Sequence, residues 1–426
     1  MSEWVDSTVG AVTLYQRAGG TPTATTDSFY GGDIPFVTIE DITNGTRFLD
    51  RTEKNLSEAG LANSAAWLIK EPHILYSMYA TVGKPIINRI ACATNQAIIA
   101  LKESSEIEQS FLFYQLLFIR PTVYKYTAQT TQSNLNAGSV KKLPISYPKD
   151  KREQRKIATI LTGIDTAIEK TEALIAKYQQ IKAGLMHDLF TRGVLPNGQL
   201  RPSREQAPEL YQETAIGWIP REWDVKPCAD LCSRICVGIV IQPTQYYVED
   251  GVPALRSANV REDGIDPNNF VYISAGANRL LAKSQVKTGD IVSVRTGYPG
   301  TSAVIPSEFQ GANCIDILIS TPNEKVISEY LCDWINSSFG KGQVLRQQGG
   351  MAQQHFNVGE MRELLVALPD LNEQERIRGR IKSASGKLAI EKALAEKLQA
   401  QKSGLMHDLL TGKVPVKVEE PEVGYG

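Results

Sequence analysis

Two segments of the chain carry a long helical pattern of apolar positions. Residues 151–189 contain no proline, and apolar residues recur there at three of every seven positions, with breaks at Thr171 and Lys182. This spacing predicts an amphipathic helix that can pair with another helix. The second copy repeats the stripe in weaker form from Ile377 to Leu409, and each helical segment is preceded by a proline, Pro148 or Pro369, which is typical of a helix start. A helix of about 38 residues is roughly 57 Å long.

The chain is an internal duplication. The segment KAGLMHDLFT at 182–191 returns as KSGLMHDLLT at 402–411, an offset of 220 residues, and Glu153-Gln154 returns at the same offset as Glu373-Gln374. Each copy has a variable block of about 145 residues followed by a better-matched segment of about 40. Because the repeating unit is about 220 residues long and occurs only twice, the repeat indicates domain duplication and not a solenoid.

The variable blocks have a mixed α/β pattern. Short alternating apolar runs predict strands at 34–39, 84–93 and 96–101 in the first block, and at 290–296, 301–306 and 315–320 in the second. Residues 111–119 and 328–339 have the pattern of short helices.

These patterns predict an α+β fold with two α/β blocks separated by two long antiparallel helices. The predicted boundaries are 1–148 for the first block, 149–192 for the first helix, 193–220 for a Pro-rich linker, 221–369 for the second block, 370–412 for the second helix and 413–426 for a tail. Antiparallel pairing needs only a short connection between helix one and block two, whereas parallel pairing would stretch the linker along the helices. The expected coiled coil has internal pseudo-two-fold symmetry.

Composition places the chain among globular proteins. It has 426 residues, 42% hydrophobic and 22% charged, and a net charge of −1. No apolar run approaches the roughly 20 residues of a membrane span, and the first ten residues lack the features of a secretory signal. Six cysteines without a disulfide-like framework favour a reducing compartment, so we expect a cytoplasmic protein.

The sequence contains no catalytic signature. It has no P-loop, no H-E-x-x-H, no G-x-S-x-G and no G-x-G-x-x-G. The Asn-Pro-Pro-aromatic tetrapeptide of amino-methyltransferases is also absent. A self-sufficient nuclease or methyltransferase is therefore disfavoured.

Three cysteines, Cys228, Cys232 and Cys236, are spaced by four, which would align them on a helix face. The first block does not repeat them, so we interpret them as small buried side chains and expect no metal site. His187 and His407 recur inside Met-His-Asp, where packing or a partner contact at each helix end is favoured over catalysis. The glycines of TVGKP and RTGYPG fit phosphate binding, but turn geometry is the simpler explanation.

Two similar but unlike blocks on a stiff helical pair suit the recognition of two short DNA sequences on one duplex. A two-fold protein matches half-sites related by a dyad. Blocks about 40–55 Å apart would place the half-sites roughly 12–16 base pairs apart. The alternative is a coiled-coil scaffold or adaptor that does not bind DNA.

The whole chain resembles the DNA-specificity subunit of type I restriction–modification systems, which act in host defence. The resemblance is carried by Trp4, by Gly20-Thr-Pro22 with Gly31-Gly-Asp-Ile-Pro35, by Gly217-Trp-Ile-Pro-Arg-Glu-Trp223, by the two Glu-Gln helix entries and by the repeated Gly-Leu-Met-His-Asp-Leu ending. It covers residues 1–412.

The resemblance implies two target-recognition domains and conserved helical regions in a non-catalytic subunit that binds double-stranded DNA. It implies partner methyltransferase subunits that use S-adenosylmethionine to modify adenine, and partner endonuclease subunits that use ATP and magnesium to translocate DNA. No cofactor is expected in this chain itself.

The residues that would contact DNA are predicted from polar loops that echo between the blocks. Block one carries 13 Lys+Arg against 14 Asp+Glu in residues 1–150, and block two carries 13 against 16, so a DNA surface must arise by clustering. The candidates in block one are Thr38, Asn44, Arg47, Lys84, Thr130, Gln132 and Asn134. The candidates in block two are Arg256, Asn259, Arg261, Arg295, Tyr298, Gln347, Gln353 and Gln354.

Overall fold

The computed structural model describes residues 3–127, 134–347 and 355–418. The chain divides into two compact units, of which unit 1 comprises Met1–Glu172 with Ala393–Gly426 and unit 2 comprises Ala173–Lys392. Each long helix is shared, since its first part belongs to one unit and its last part to the other. Across the described ranges, no helix combines the length and the apolar character that a membrane crossing requires.

Unit 1 is built on a five-stranded sheet of order β2-β9-β6-β7-β4, with smaller sheets β5-β3-β8 and β1-β10. Its strands are β1 (Trp4–Thr8), β2 (Thr13–Ala18), β3 (Tyr30–Val37), β4 (Phe48–Leu49), β5 (Lys54–Leu56), β6 (Ile74–Ser77), β7 (Pro85–Asn88), β8 (Ala93–Thr94), β9 (Ile98–Glu103) and β10 (Pro144–Pro148). Its helices are α1 (Ile39–Asn44), α2 (Glu58–Ala62), α3 (Gln109–Ile119) and α4 (Ala137–Lys141), followed by the long α5 (Lys151–Arg192).

Unit 2 is built on two four-stranded sheets of order β14-β23-β20-β21 and β15-β19-β16-β22. Its strands are β11 (Tyr211–Thr214), β12 (Gly217–Pro220), β13 (Asp224–Pro227), β14 (Cys232–Val237), β15 (Tyr247–Val248), β16 (Val252–Leu255), β17 (Val260–Arg261), β18 (Gly264–Ile265), β19 (Val271–Ile273), β20 (Ile291–Val294), β21 (Ser302–Val304), β22 (Asn313–Cys314), β23 (Ile317–Pro322) and β24 (Leu365–Leu368). Its helices are α6 (Cys228–Leu231), α7 (Ala275–Leu280), α8 (Ser328–Asn336), α9 (Ser338–Gln347) and α10 (Val358–Glu363), followed by the long α11 (Leu371–Leu410).

Both long helices begin at an aspartate cap. Asp150 Oδ1 accepts a hydrogen bond from the Arg152 backbone N–H at 2.8 Å, and Asp370 Oδ1 accepts one from the Glu373 N–H at 2.8 Å. Each carboxylate thus satisfies a donor that the first helical turn leaves unpaired. Helix α5 therefore starts three residues after Pro148, and α11 starts two residues after Pro369.

The long helices pair antiparallel in each unit, as the sequence predicts. In unit 1, Leu161 of α5 shares a core with Leu410 of α11, and Lys402 pairs with Asp165 at 2.7 Å. In unit 2, Leu189 near the end of α5 shares a core with Ile377 near the start of α11. Early residues of one helix thus meet late residues of the other in both units.

A buried glutamine fixes block one to the start of α5. Gln154 Nε2 donates to the carbonyls of Pro148 at 2.9 Å and Glu106 at 3.0 Å, and its Oε1 accepts from the Glu108 N–H at 2.7 Å. The amide therefore ties the end of β10 and the entry to α3 to the long helix.

The duplicated residue Gln374 makes the same three bonds in unit 2. Its Nε2 donates to the carbonyls of Pro369 at 2.9 Å and Lys325 at 3.2 Å, and its Oε1 accepts from the Ile327 N–H at 2.9 Å. Conservation of this network between the copies shows that the duplication extends from sequence to hydrogen bonding.

The segment predicted as a linker, residues 193–220, is folded. It contains the hairpin β11–β12, and its Arg201 side chain is buried against the carboxylate of Glu373 and within 2.7 Å of Glu222. The sequence did not predict this fold, because the segment is rich in proline and polar residues. A buried ion pair and a short hairpin do not produce a periodic pattern of hydrophobic residues.

Candidate nucleic-acid interface

One edge of the central sheet of unit 1 collects three loops. Strand β2 ends at Ala18 and β6 ends at Ser77, beside Ile98 and Ile99 at the start of β9. Because antiparallel neighbours end and begin at the same edge, segments 19–26, 78–84 and 95–97 emerge together. We name these segments loop face 1.

The matching edge in unit 2 has the same construction. Strand β14 ends at Val237 and β20 ends at Val294, beside Ile317 and Leu318 at the start of β23. Segments 238–246, 295–301 and 315–316 therefore emerge together, and we name them loop face 2.

The two glycine motifs form the same turn on both faces. Gly83 has φ of 78° and donates its N–H to the Ser77 carbonyl at 2.9 Å, while Gly300 has φ of 83° and donates to the Val294 carbonyl at 3.0 Å. These positive φ angles are what a turn requires of glycine. Turn geometry thus accounts for both glycines.

Tyr298 is the most prominent predicted residue on loop face 2. Its side chain lies at the tip of the β20–β21 hairpin and is 83% exposed. An exposed aromatic ring at a loop tip is suited to stacking on a base or to wedging into a groove.

Arg295, at the base of the same hairpin, is held in place. Its guanidinium forms an ion pair with Asp316, its Nε donates to the Phe356 carbonyl at 3.3 Å, and its own carbonyl accepts from the Phe356 N–H at 2.9 Å. These contacts fix the hairpin and leave the side chain only partly exposed.

Two apolar residues of loop face 2 were missed by the sequence reasoning. Val240 and Ile241 are 49% and 75% exposed, and Gln242 after them has φ of 42°. A signal was present, because GIVIQP at 238–243 places apolar residues beyond the end of a strand and before a proline. Exposed aliphatic side chains of this kind are used as wedges between base steps.

Three predicted residues of block one lie around α1 and loop face 1. Thr38 caps α1 in a capping box with Asp41, and Asn44 at its last turn is exposed. Lys84 Nζ donates to the Thr43 carbonyl at 2.9 Å and to the Gly45 carbonyl at 2.7 Å. Burial, and then the charge of a nearby arginine, lower the pKa of Lys84. Asn44 is thus free to contact a ligand, whereas Lys84 holds its own loop.

Arg47 is a structural residue, contrary to its prediction as a DNA contact. It is 8% exposed, bonds Thr162 of α5, and its guanidinium lies 4.7 Å from the Phe48 ring centroid and 5.2 Å from that of Tyr114. The aromatic rings and the helix enclose the charge, which argues against base contact.

Asn259 is likewise structural. It is fully buried, and its Nδ2 donates to the carbonyls of Asp266 at 3.1 Å and Asn268 at 3.0 Å. Its neighbours are more accessible: Arg256 bonds the Asn269 carbonyl at 2.8 Å, and Arg261 is exposed beside Asp266 at 3.5 Å.

Of the six remaining predicted residues, Asn134 and Gln347 lie within the described part of the chain. Asn134 is half-buried next to Leu135, whose N–H donates to the Met78 carbonyl of loop face 1 at 2.9 Å. Gln347 is the last residue of α9. Thr130, Gln132, Gln353 and Gln354 lie outside the described residues.

A groove of about 940 Å³, lined by apolar and polar residues, adjoins loop face 1 in unit 1. Thr21 and Asn95 of the loop face line it together with the predicted residue Thr38, and Glu40 and Glu53 add carboxylates. Carboxylates accept from the cytosine amino group, and amides pair with adenine. The groove therefore offers base-edge chemistry and little attraction for phosphates.

The cysteine spacing does not form a helix face. Cys228 begins the one-turn helix α6, whereas Cys232 and Cys236 lie in β14, so the helical prediction was wrong. All three thiols are buried, and burial raises the pKa of Cys232 to about 12. Among the described residues, no three His, Cys, Asp or Glu side chains are grouped to hold a metal ion.

The repeated histidines pack against aromatic rings in their own units. His187 stacks on Phe339 with ring centroids 5.6 Å apart, and His407 lies 6.4 Å from Phe118. These contacts agree with the expected packing role at each helix end.

Known proteins are similar to this chain in architecture and in sequence. Residues 1–180 match the family model of the type I restriction modification DNA specificity domain. The first 180 residues are therefore similar to this domain family. A putative type I restriction enzyme MjaX specificity subunit of Methanocaldococcus jannaschii is 28% identical over 74% of this chain and 70% of the relative. The MjaVIII specificity subunit of the same organism is 22% identical over 97% of this chain and 94% of the relative.

Two solved structures share the fold over nearly the whole chain. The type I S subunit from M. genitalium matches with a TM-score of 0.58 and 13% identity, covering 98% of this chain and 97% of the other. A chain solved in a study of complex assembly and conformational transition of the type I R-M system matches with a TM-score of 0.56 and 15% identity, over 96% and 98%. At these identities the likeness shows that the fold is shared.

Proposed function

We propose that this chain is the sequence-specific DNA-recognition subunit of a type I restriction–modification complex, and that each block recognises one half of a bipartite target. The observation that carries the proposal is the pair of loop faces. They share strand order and turn glycines, yet differ in exposed side chains, with Tyr298 and Ile241 on loop face 2 and Tyr79 on loop face 1. Two blocks with the same strand order but different exposed loop side chains are suited to recognising two different half-sites.

The partners follow from the same assignment. The subunit is non-catalytic, and it would direct methyltransferase subunits that modify adenine with S-adenosylmethionine. Endonuclease subunits that use ATP and magnesium would join them in the cytoplasm. Because neither block has an excess of basic residues, we expect much of the phosphate attraction to come from these partners.

Variants of Tyr298 test the assignment of loop face 2. The chain is co-expressed with its methyltransferase partner, and methylated adenines are mapped across the host chromosome. Tyr298→Ala should lower the preference for the correct bases in one half of the motif by about 10-fold, since a base contact is worth roughly 1–3 kcal/mol. Tyr298→Phe should keep most of it if the ring stacks.

The half-site of block one is the internal control. It should stay unchanged in both Tyr298 variants, because loop face 1 is intact. Loss of both halves together, or an unchanged motif with Tyr298→Ala, would contradict recognition by loop face 2.

A further inference from the structure

In each unit a cleft separates the variable block from the long helices. The cleft of unit 1 has a volume of about 280 Å³, and unit 2 has two neighbouring clefts of about 530 and 320 Å³. We name the helix side of each cleft the seat of its block. Charged side chains line both walls, so electrostatics contributes to how a block docks.

The seat of unit 1 is acidic. Its carboxylates are Asp165, Glu169 and Glu172. The cation on the same wall is Lys402, which pairs with Asp165 at 2.7 Å while both groups are largely shielded from solvent. The opposite wall, which belongs to block one, carries the cations Arg47 and Lys84.

The seat of unit 2 has the opposite sign. Its cations are Lys182, Arg378, Lys382 and Lys392. Block two faces them with Glu262, Asp263, Glu329 and Asp333, and with the cation Arg261. Lys341 of the same block pairs with Glu262. Two pairs cross the cleft, Lys392 with Asp263 at 2.8 Å and Arg378 with Glu329 at 2.8 Å.

The reversal arises at duplicated positions of the two long helices. At the offset of 220 residues, α5 and α11 pair Ala158 with Arg378, Thr162 with Lys382, Asp165 with Ser385, Glu169 with Ala389 and Glu172 with Lys392. Each replacement makes the seat of unit 2 more positive. Lys182 and Lys402, also at this offset, remain lysine in both copies.

We propose that each block is matched by charge to its own seat, so that the two blocks are not interchangeable within the chain. If block one were placed on the seat of unit 2, its cations Arg47 and Lys84 would face the four cations of that seat. If block two were placed on the seat of unit 1, its carboxylates would face the three carboxylates of that seat. Like charges within a partly enclosed cleft repel, and such repulsion is a recognised source of specificity. Each half-site is thereby assigned to one end of the duplicated chain.

The first test reverses the seat of unit 2 in the full chain. The triple variant Arg378→Glu, Lys382→Glu and Lys392→Glu should lower the thermal midpoint of unfolding by roughly 3–8 °C in 50 mM salt. The loss should shrink at 1 M salt, where the screening length is about 3 Å. The matched control makes the same charge change at exposed helix positions with Lys177→Glu, Lys387→Glu and Lys397→Glu, and should shift the midpoint by less than about 2 °C.

The second test restores the match from the other side. Adding Glu262→Lys, Asp263→Lys and Glu329→Lys to the seat variant should recover at least half of the lost midpoint. A seat variant no less stable than the control overturns the proposal, and so does a loss that the block substitutions fail to recover. The readout is unfolding of the chain alone, so it is independent of DNA recognition.

A block-exchange chain gives the direct outcome. Residues 1–148 and 221–369 trade places, with the helices either native or carrying the five seat residues of the other copy. The proposal predicts that the version with exchanged seats has the higher midpoint of the two. Equal midpoints would show that charge does not match block to seat.

Discussion

The buried pair of Arg201 and Glu373 gives the sharpest stability prediction. Both side chains are almost fully enclosed. Besides Arg201, the Glu373 carboxylate accepts from the Val194 N–H at 2.8 Å and from Trp223 Nε1 at 3.0 Å. Replacing Arg201 with Met keeps the aliphatic volume and removes the counter-charge. Glu373 then retains two neutral donors in a site closed to water.

Removing one partner of a buried pair costs about 3–5 kcal/mol, because a charge is left uncompensated. For a unit of this size, 1 kcal/mol corresponds to roughly 2–4 °C. Arg201→Met should therefore lower the midpoint of unit 2 by roughly 6–20 °C. Adding Glu373→Leu removes the stranded charge and should recover much of the loss.

Calorimetry measures the midpoint, and amide hydrogen exchange over residues 194–223 shows whether the loss is local. The matched control is Glu153→Gln in unit 1. Glu153 occupies the duplicated position, and in the described part of the chain its side chain makes no hydrogen bond. It should change stability by less than about 0.5 kcal/mol. An Arg201→Met chain as stable as the control would refute the reasoning.

Three further predictions concern a buried aspartate, the two buried glutamines and the length of the long helices. Burial raises the pKa of Asp333 to about 7, with Lys182 and Arg378 opposing and Glu329 reinforcing the shift. The folded state therefore holds this proton more tightly than the unfolded chain, so the contribution of Asp333 to stability falls as pH rises from about 4 to about 7. Asp333→Asn should stabilise unit 2 by about 2–4 kcal/mol at pH 8 and by little at pH 4, measured by urea unfolding; equal effects at both pH values would contradict the shift. Gln154→Ala and Gln374→Ala should each cost about 2–4 kcal/mol, since each strands three buried backbone groups, and unequal losses would show that the two networks are not equivalent. Deleting one heptad from each long helix, about 10 Å, should shorten the gap in the methylated motif by roughly three base pairs or abolish assembly, whereas an unchanged gap would mean that the helices do not set it.

The duplicated framework was predictable from the sequence because it rests on periodicity. The stripe through Leu161 and Leu189 predicted long helices, and α5 and α11 pair antiparallel as expected. The strand patterns at 96–101 and 315–320 correspond to β9 and β23. Such signals survive because burial on one face imposes a period on the residues themselves.

Features set by tertiary partners were not predictable in this way. A spacing of four at Cys228 and Cys232 matched a helix, yet the chain turns from α6 into β14 between them. Arg47 looked like a loop cation, but Phe48 and Tyr114 enclose it. Enclosure depends on residues distant in sequence, and it leaves no local pattern. The exposure of Ile241 was not predicted either, because in the sequence an apolar loop residue looks like a buried one.

The most direct test of two-block recognition is selection from randomised duplex DNA by the assembled complex of this chain with its methyltransferase partner. The account predicts one enriched motif with two short, unlike defined halves separated by a fixed stretch of undefined base pairs. Enrichment of a single continuous motif, or of no motif at all, would contradict it.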